Sequence, residues 1–165
     1  MPGQGAPFHG KFRGIVTDNR DPNSLGRVRA KVPDVLGENE SGWALPSMPY
    51  AGDGVGLFLL PPVNAWVWIE FEHGDPDYPV WTGCFWTDGQ VPASPATPEI
   101  KILKTDGATI TIDDTPGSGG VKIETTDGAK ITLDSTGITI DDGQGATISL
   151  SGPQVSINDD ALEIV

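Results

Sequence analysis

The chain has 165 residues, room for one ordinary domain or two small ones. Its 23 acidic side chains against 10 basic ones give a formal net charge of −13, a surface that repels phosphate backbones and anionic lipid and so argues against nucleic acid or membrane insertion as partners. The 22 Gly and 15 Pro imply many turns, the single Cys84 excludes an internal disulfide or Cys-rich metal knuckle, and no apolar stretch is long enough to span a bilayer.

Residues 1–9 read as a short N-terminal arm. They lack the basic region and apolar run of a secretory leader, which predicts assembly in the cytoplasm. Residues 10–87 read as a small β-barrel. Lys11–Thr17, Gly26–Val32, Val55–Leu60, Ala65–Glu72 and Val80–Trp86 are rich in β-branched and aromatic residues, and turn signals such as Asp21-Pro22-Asn23 and Gly74-Asp75-Pro76 separate them. No stretch shows a helical period. Trp66 and Trp68 share one strand face and Val67 and Ile69 the other, so one face fills the barrel and the other meets a partner. All 12 aromatic residues precede residue 87. Residues 88–99 form a linker in which Pro92, Pro95 and Pro98 favour an extended, polyproline-like path.

From 100 to 165 the pattern turns regular. Aliphatic pairs sit two apart in eight segments: Ile100/Ile102, Ile110/Ile112, Val121/Ile123, Ile131/Leu133, Ile138/Ile140, Ile148/Leu150, Val155/Ile157 and Leu162/Ile164. Polar residues stand between them, so each segment is a strand with one buried face. Gly107, Gly128, Gly137, Gly145 and Gly152 mark corners, and Thr105–Asp113 repeats in Thr126–Asp134. A sheet this thin, with no helix and no aromatic payload, would leave its apolar strip wet and its edges open. A self-contained sandwich is one way out but needs a thicker core with aromatic payload; several chains closing about one axis remove both problems with small aliphatics alone. The sequence therefore predicts an all-β protein whose second half is an intertwined trimeric β-helix, or β-prism. Its trimer core is Ile110, Ile112, Val121, Ile123, Ile131, Leu133, Ile138, Ile140, Ile148, Leu150, Val155 and Ile157.

Other candidate sites read more blandly. His73-Gly74-Asp75-Pro76-Asp77 is better explained as a turn than as a metal cluster. Cys84 reads as core filler. Asp113-Asp114 and Asp141-Asp142 lack calcium-loop spacing and read as solvated corners. Arg27 and Arg29 fit ion pairs within the barrel or to a partner, and Asp21–Gly26 is a candidate partner-facing loop. No nucleophile elbow or cofactor motif is present.

Gly14-Ile-Val-Thr-Asp-Asn-Arg-Asp-Pro-Asn-Ser-Leu-Gly-Arg-Val-Arg-Ala-Lys-Val-Pro33, then Trp43-Ala-Leu-Pro46, Pro49-Tyr-Ala-Gly52, Gly56-Leu-Phe-Leu-Leu-Pro61 and Trp68-Ile-Glu-Phe-Glu-His-Gly-Asp-Pro-Asp-Tyr-Pro-Val-Trp-Thr-Gly83, resemble the OB-fold domain of phage baseplate assembly protein V and VgrG-like spike proteins. The resemblance covers about Phe12–Trp86. It implies an OB-fold barrel at 10–87 followed by a triple-stranded β-helix needle at 100–165. It also implies a non-catalytic homotrimeric spike in a virion baseplate or phage-tail-like particle. The partners it implies are a hub protein and inner tube above, and a PAAR-type tip protein on a platform of Leu162, Ile164 and Val165. The sequence departs from the family in having Val63-Asn64-Ala65-Trp66 where a Gly-Asp often precedes the strand, and in lacking a His-x-His iron tip. The competing reading is a carbohydrate-binding OB module on a trimeric stalk, with Trp43, Tyr50, Trp66 and Trp81 stacking on sugars. An envelope-degrading enzyme is a further alternative, disfavoured by the paucity of poised acid–base residues.

Overall fold

A computed structural model describes residues 7–158 and 161–164, the last two by backbone alone. It holds two compact units, divided between Gly89 and Gln90.

In the first unit, strands β1 (Phe12–Asp18), β2 (Arg29–Lys31), β3 (Leu45–Pro46), β6 (Trp66–Phe71) and β7 (Pro79–Phe85) form one sheet in the order β2-β1-β6-β7-β3. A small hairpin, β4 (Ala51–Gly52) with β5 (Val55–Gly56), stands apart from it. Val28 and Ala44, just ahead of the two edge strands, exchange backbone hydrogen bonds of 3.2 and 2.8 Å, tying one edge to the other. The strand alternation decides what lies inside. Val67, Ile69 and Phe71 point inward from β6, where they join Val16, Val28, Ala30, Val32, Ala44 and Trp81 in the core. The Trp81 indole N–H donates to the Gly26 carbonyl at 3.2 Å, so this buried ring keeps its polar atom satisfied.

The expected strand at Val55–Leu60 is only two residues long. Beyond Gly56 the chain runs outside any strand to Pro61-Pro62, because prolines cannot extend a ladder, and the fifth strand of the sheet is Leu45–Pro46 instead. A one-turn helix, α1 (Pro33–Leu36), was not visible as a period; Pro33 sets its first residue and Gly37 ends it. Residues 87–98 bend through turns where an extended polyproline path was expected. The arm is docked at its end, where the Phe8 N–H donates to the Gly74 carbonyl at 2.9 Å. Gly74 is obligatory there: its φ is 78° and a Cβ would lie 2.6 Å from the Pro7 Cβ.

The second unit is one antiparallel meander of eight strands: β8 (Ile100–Lys104), β9 (Ala108–Asp113), β10 (Gly120–Thr125), β11 (Lys130–Asp134), β12 (Gly137–Asp141), β13 (Thr147–Ser151), β14 (Gln154–Ile157) and β15 (Leu162–Ile164). Each strand pairs with the next in sequence, so among the described residues the ladder is made within one chain. At about 4.8 Å per strand the wall is roughly 34 Å long, and its five-residue strands make it roughly 16 Å wide.

Gly137 is the first residue of β12 and not part of the preceding turn. Its φ is 143° and a Cβ would strike the carbonyl oxygen of Leu150 on the neighbouring strand. Gly107, by contrast, has open space around it. Gly137→Ala is therefore expected to cost at least about 1 kcal/mol, read as a lower Tm by differential scanning calorimetry, with Gly107→Ala close to neutral.

Candidate assembly interface

The register of the meander gathers its aliphatic side chains. Ile112, Val121, Leu133, Ile138, Leu150 and Val155 stand opposite one another from strand to strand. Ile110, Ile123, Ile131, Ile140, Ile148 and Ile157 form a second row beside them. All twelve residues expected at a trimer core thus share one face, in two parallel rows. Thr111, Lys122, Thr132, Thr139, Ser149 and Ser156 align on the other face. No charged side chain stands on the aliphatic face from β9 to β14.

Among the described residues of this unit nothing covers that face. Nine of the twelve side chains expose between 37% and 43% of their surface, and Val121, Val155 and Ile157 are half-buried. A hollow of about 570 Å³ runs along the second row, bordered by Ile123, Ile131, Ile140, Ile148 and Ile157. Covering each remaining exposed fraction is worth about 1 kcal/mol, so the rows carry on the order of 10 kcal/mol per chain of unclaimed apolar burial.

Ile100 and Ile102 do not join these rows. β8 pairs with β9 so that Ile102 faces Thr111 while Leu103 faces Ile110 and Lys101 faces Ile112. The run Ile-Lys-Ile-Leu-Lys holds apolar residues of both parities, and a shift of one residue exchanges the faces. Of the residues expected at a tip platform, Leu162 is exposed in the last strand and Ile164 pairs through its backbone with Val155. Val165 lies outside the described residues.

The corners are held by carboxylates. Asp134 Oδ1 accepts the Thr136 hydroxyl at 2.5 Å and its N–H at 2.7 Å. Asp142 Oδ1 accepts the backbone N–H groups of Gln144 and Ala146 at 2.8 and 2.9 Å, and Asp141 accepts that of Gly143. Asp113 does the same with Thr115. Bonds to the ionised form pull all four carboxyls below the ordinary aspartate range. Asp114 instead pairs with Lys101.

In the first unit, Asp21 and Arg27 form a two-pronged pair, Nη2 to Oδ1 at 2.6 Å and Nε to Oδ2 at 3.0 Å, with the Asp21 side chain only 2% exposed. Asp21 also accepts the backbone N–H groups of Asn23 and Leu25, so the loop 21–26 is fixed from within and leaves Leu25 outward. The Arg27 guanidinium, followed by these backbone bonds, holds the Asp21 carboxyl far below the usual range against the opposing effect of burial. Arg29 reaches Glu40 at 3.4 Å, and both guanidiniums lie over the Trp43 ring, at 5.7 and 6.0 Å. The expected ion pairing within the barrel is thus what the two arginines do.

Two expectations are overturned. Cys84 is exposed and not core filler: a bulge between Val67 and Ile69 shifts the β6–β7 register, and Cys84 falls beyond the packed residues. Partial enclosure raises its thiol pKa, the direction opposite to activation. Trp81, one of the four aromatics considered for sugar stacking, is core, and Trp43 is flanked by the two guanidiniums. Tyr50 is exposed, while Trp66 and Trp68 each lie tilted against Phe85, centroids 5.7 and 4.6 Å away, on the outer face of β6 and β7. As a core residue, Trp81 is removed from the set considered for stacking. Glu72-His73-Gly74 makes a tight 3-10 turn, with the Asp77 N–H donating to Asp75 at 3.0 Å.

Two family models match the chain. Residues 12–86 match one described as the type VI secretion system/phage-baseplate injector OB domain. Residues 99–163 match one described as the phage baseplate V C-terminal trimerisation domain. No curated protein matches the chain.

The corner aspartates and Asp21 hold their charge more firmly folded than unfolded. As pH falls below the ordinary aspartate value of 3.8, the unfolded chain takes up protons first, and the stability these groups lend is lost from there down to their folded values. Tm is expected to fall as pH drops from about 5 to about 2, and Asp21→Asn and Asp142→Asn should each flatten that fall. A Tm independent of pH over this range would contradict the assignment.

Proposed function

The chain belongs to the phage baseplate V family, and from that premise we propose that three copies form the non-catalytic central spike of a contractile phage tail or phage-tail-like injection system. One observation carries the reading: a single chain builds a complete hydrogen-bonded wall, leaves one face of it aliphatic and uncovered, and does so in the region matched by a trimerisation domain. Three such walls facing inward form a narrow prism. Two rows of medium aliphatics per wall suffice to fill it, which accounts for the absence of aromatic residues after Trp86. Because consecutive strands already satisfy one another's backbone groups, the copies meet through side-chain packing, and the winding of three chains about one axis requires no exchange of ladder bonds.

The assignment of ends follows the family resemblance. The barrel, residues 10–87, faces the hub and inner tube, and residues 100–165 form the needle, with β15 as its distal edge and Leu162, Ile164 and Val165 as the platform for a PAAR-type tip protein. Sheath contraction would drive the needle through the target envelope. A thrust along the wall is shared among successive strand ladders and a dry core, and the polar outer face meets water.

Light scattering on the purified chain is expected to give three times its 17.4 kDa mass. Ile148→Asp, which would place three like charges at the axis, is expected to leave the chain monomeric, whereas Ser149→Asp on the opposite face assembles as the parent does. A trimer with Ile148→Asp, or its loss with Ser149→Asp, reverses the assignment of faces. Incubation with purified peptidoglycan should release no fragments; release would establish an enzymatic activity.

A further inference from the structure

Outside its core the first unit carries two apolar surfaces among its described residues, the first exposed and the second half-buried. The first is built by the loop 21–26, the β4–β5 hairpin and residues 57–60. Leu25, Met48, Tyr50, Val55, Leu57 and Phe58 border a hollow of about 410 Å³, and none of the residues lining it is charged. Phe58 is 71% exposed and makes no ring contact among the described residues. Its segment passes from the Leu57 N–H, bonded to the Tyr50 carbonyl at 2.9 Å, to Pro61-Pro62 without entering a strand. The second surface is the outer sheet face, where Trp66, Trp68 and Phe85 pack ring to ring and Arg13 lies 5.9 Å from the Phe85 centroid. The register puts Ile15 opposite Trp66 on the same face.

We propose that these two surfaces are the halves of one contact between copies of this chain, the Phe58 segment of one barrel seating on the Trp66–Trp68–Phe85 face of the next. The proposal rests on the trimeric reading above and names the surfaces the barrels use. Three-fold closure is heterologous: each copy must offer two different surfaces that fit each other, unlike a two-fold pair in which one patch meets itself. The barrel offers two. Charge favours the same occupant. A chain with net charge −13 repels its copies except where its surface is free of carboxylates. The first surface has none in its lining, and the second presents the cation Arg13 while the nearby Glu70 is already paired with Lys11 at 2.6 Å. The tether supplies the rest. Residues 88–99 join each barrel to the trimerising region, which holds the barrels at an effective concentration on the order of millimolar, where a modest apolar contact closes.

The test uses the full chain with p-benzoylphenylalanine in place of Phe58. Light scattering first establishes the mass of the sample. After irradiation the trimeric protein is expected to give covalent dimers and trimers on denaturing gels, with the cross-link mapped by peptide mass to residues 66–85 of a second copy. A trimer that yields no cross-link between chains, as it would if a different protein occupied the surface, overturns the proposal and leaves the trimer intact. A cross-link confined to residues 50–60 of the second copy overturns it as well. A monomeric mass removes the trimeric reading together with the proposal. Independently, Phe58→Ser should red-shift the tryptophan emission with the trimer mass unchanged, and an unshifted spectrum counts against the contact.

Discussion

The pairing of each strand of the second unit with its successor, in a register that never slips between β9 and β14, is the constraint on which the rest depends. Side chains alternate across a strand with a period of two, so a slip of one residue at any ladder would scatter the aliphatics over both faces. With the register kept, twelve of them fall in two rows. The face they make is too narrow to curl over itself and too apolar to stay wet. Self-association follows from this geometry and agrees with the match to a trimerisation domain.

The two units solve burial in opposite ways. The first ties its sheet edges together at Val28 and Ala44 and encloses a core of its own, with Trp81 at its margin and Arg27, Asp21 and Trp43 locked on its surface. Its core closes within one copy, and its polar clamps fix the loop 21–26 by interactions made inside the chain. Among its described residues the second unit encloses no comparable core, and it leaves its aliphatic rows for self-association, in keeping with the match to a trimerisation domain.

Much of this was legible from residue pattern. The eight aliphatic pairs gave strand positions because alternation is a local property, and the six from Ile110/Ile112 to Val155/Ile157 gave the parity of their strands. Ile100/Ile102, by contrast, sits in a run where Leu103 offers the opposite parity, and only pairing with β9 decides between them. The barrel was harder. Val55–Leu60 has strand composition, yet Pro61-Pro62 ends the run and only Val55–Gly56 pairs, in a hairpin with Ala51–Gly52. The bulge that exposes Cys84 has no sequence signal beyond Gly83, whose φ is 139°. Trp81 and Trp66 are alike in composition, and only tertiary packing sends one inward and leaves the other on the outer face. The recurring Asp at the corners was visible, but its partners two residues on were not read from it, although an aspartate before a turn commonly accepts that backbone N–H.

The meander has a consequence for how the molecule comes into being. Every ladder in the wall joins neighbours in sequence, so the contacts are short-range and the loop-closure entropy of each hairpin is small. A nascent chain can zip the wall one hairpin at a time as it leaves the ribosome, without waiting for distant segments. Self-association is a separate, concentration-dependent step, and the interval before it is when the bare isoleucine rows are most open to mispairing.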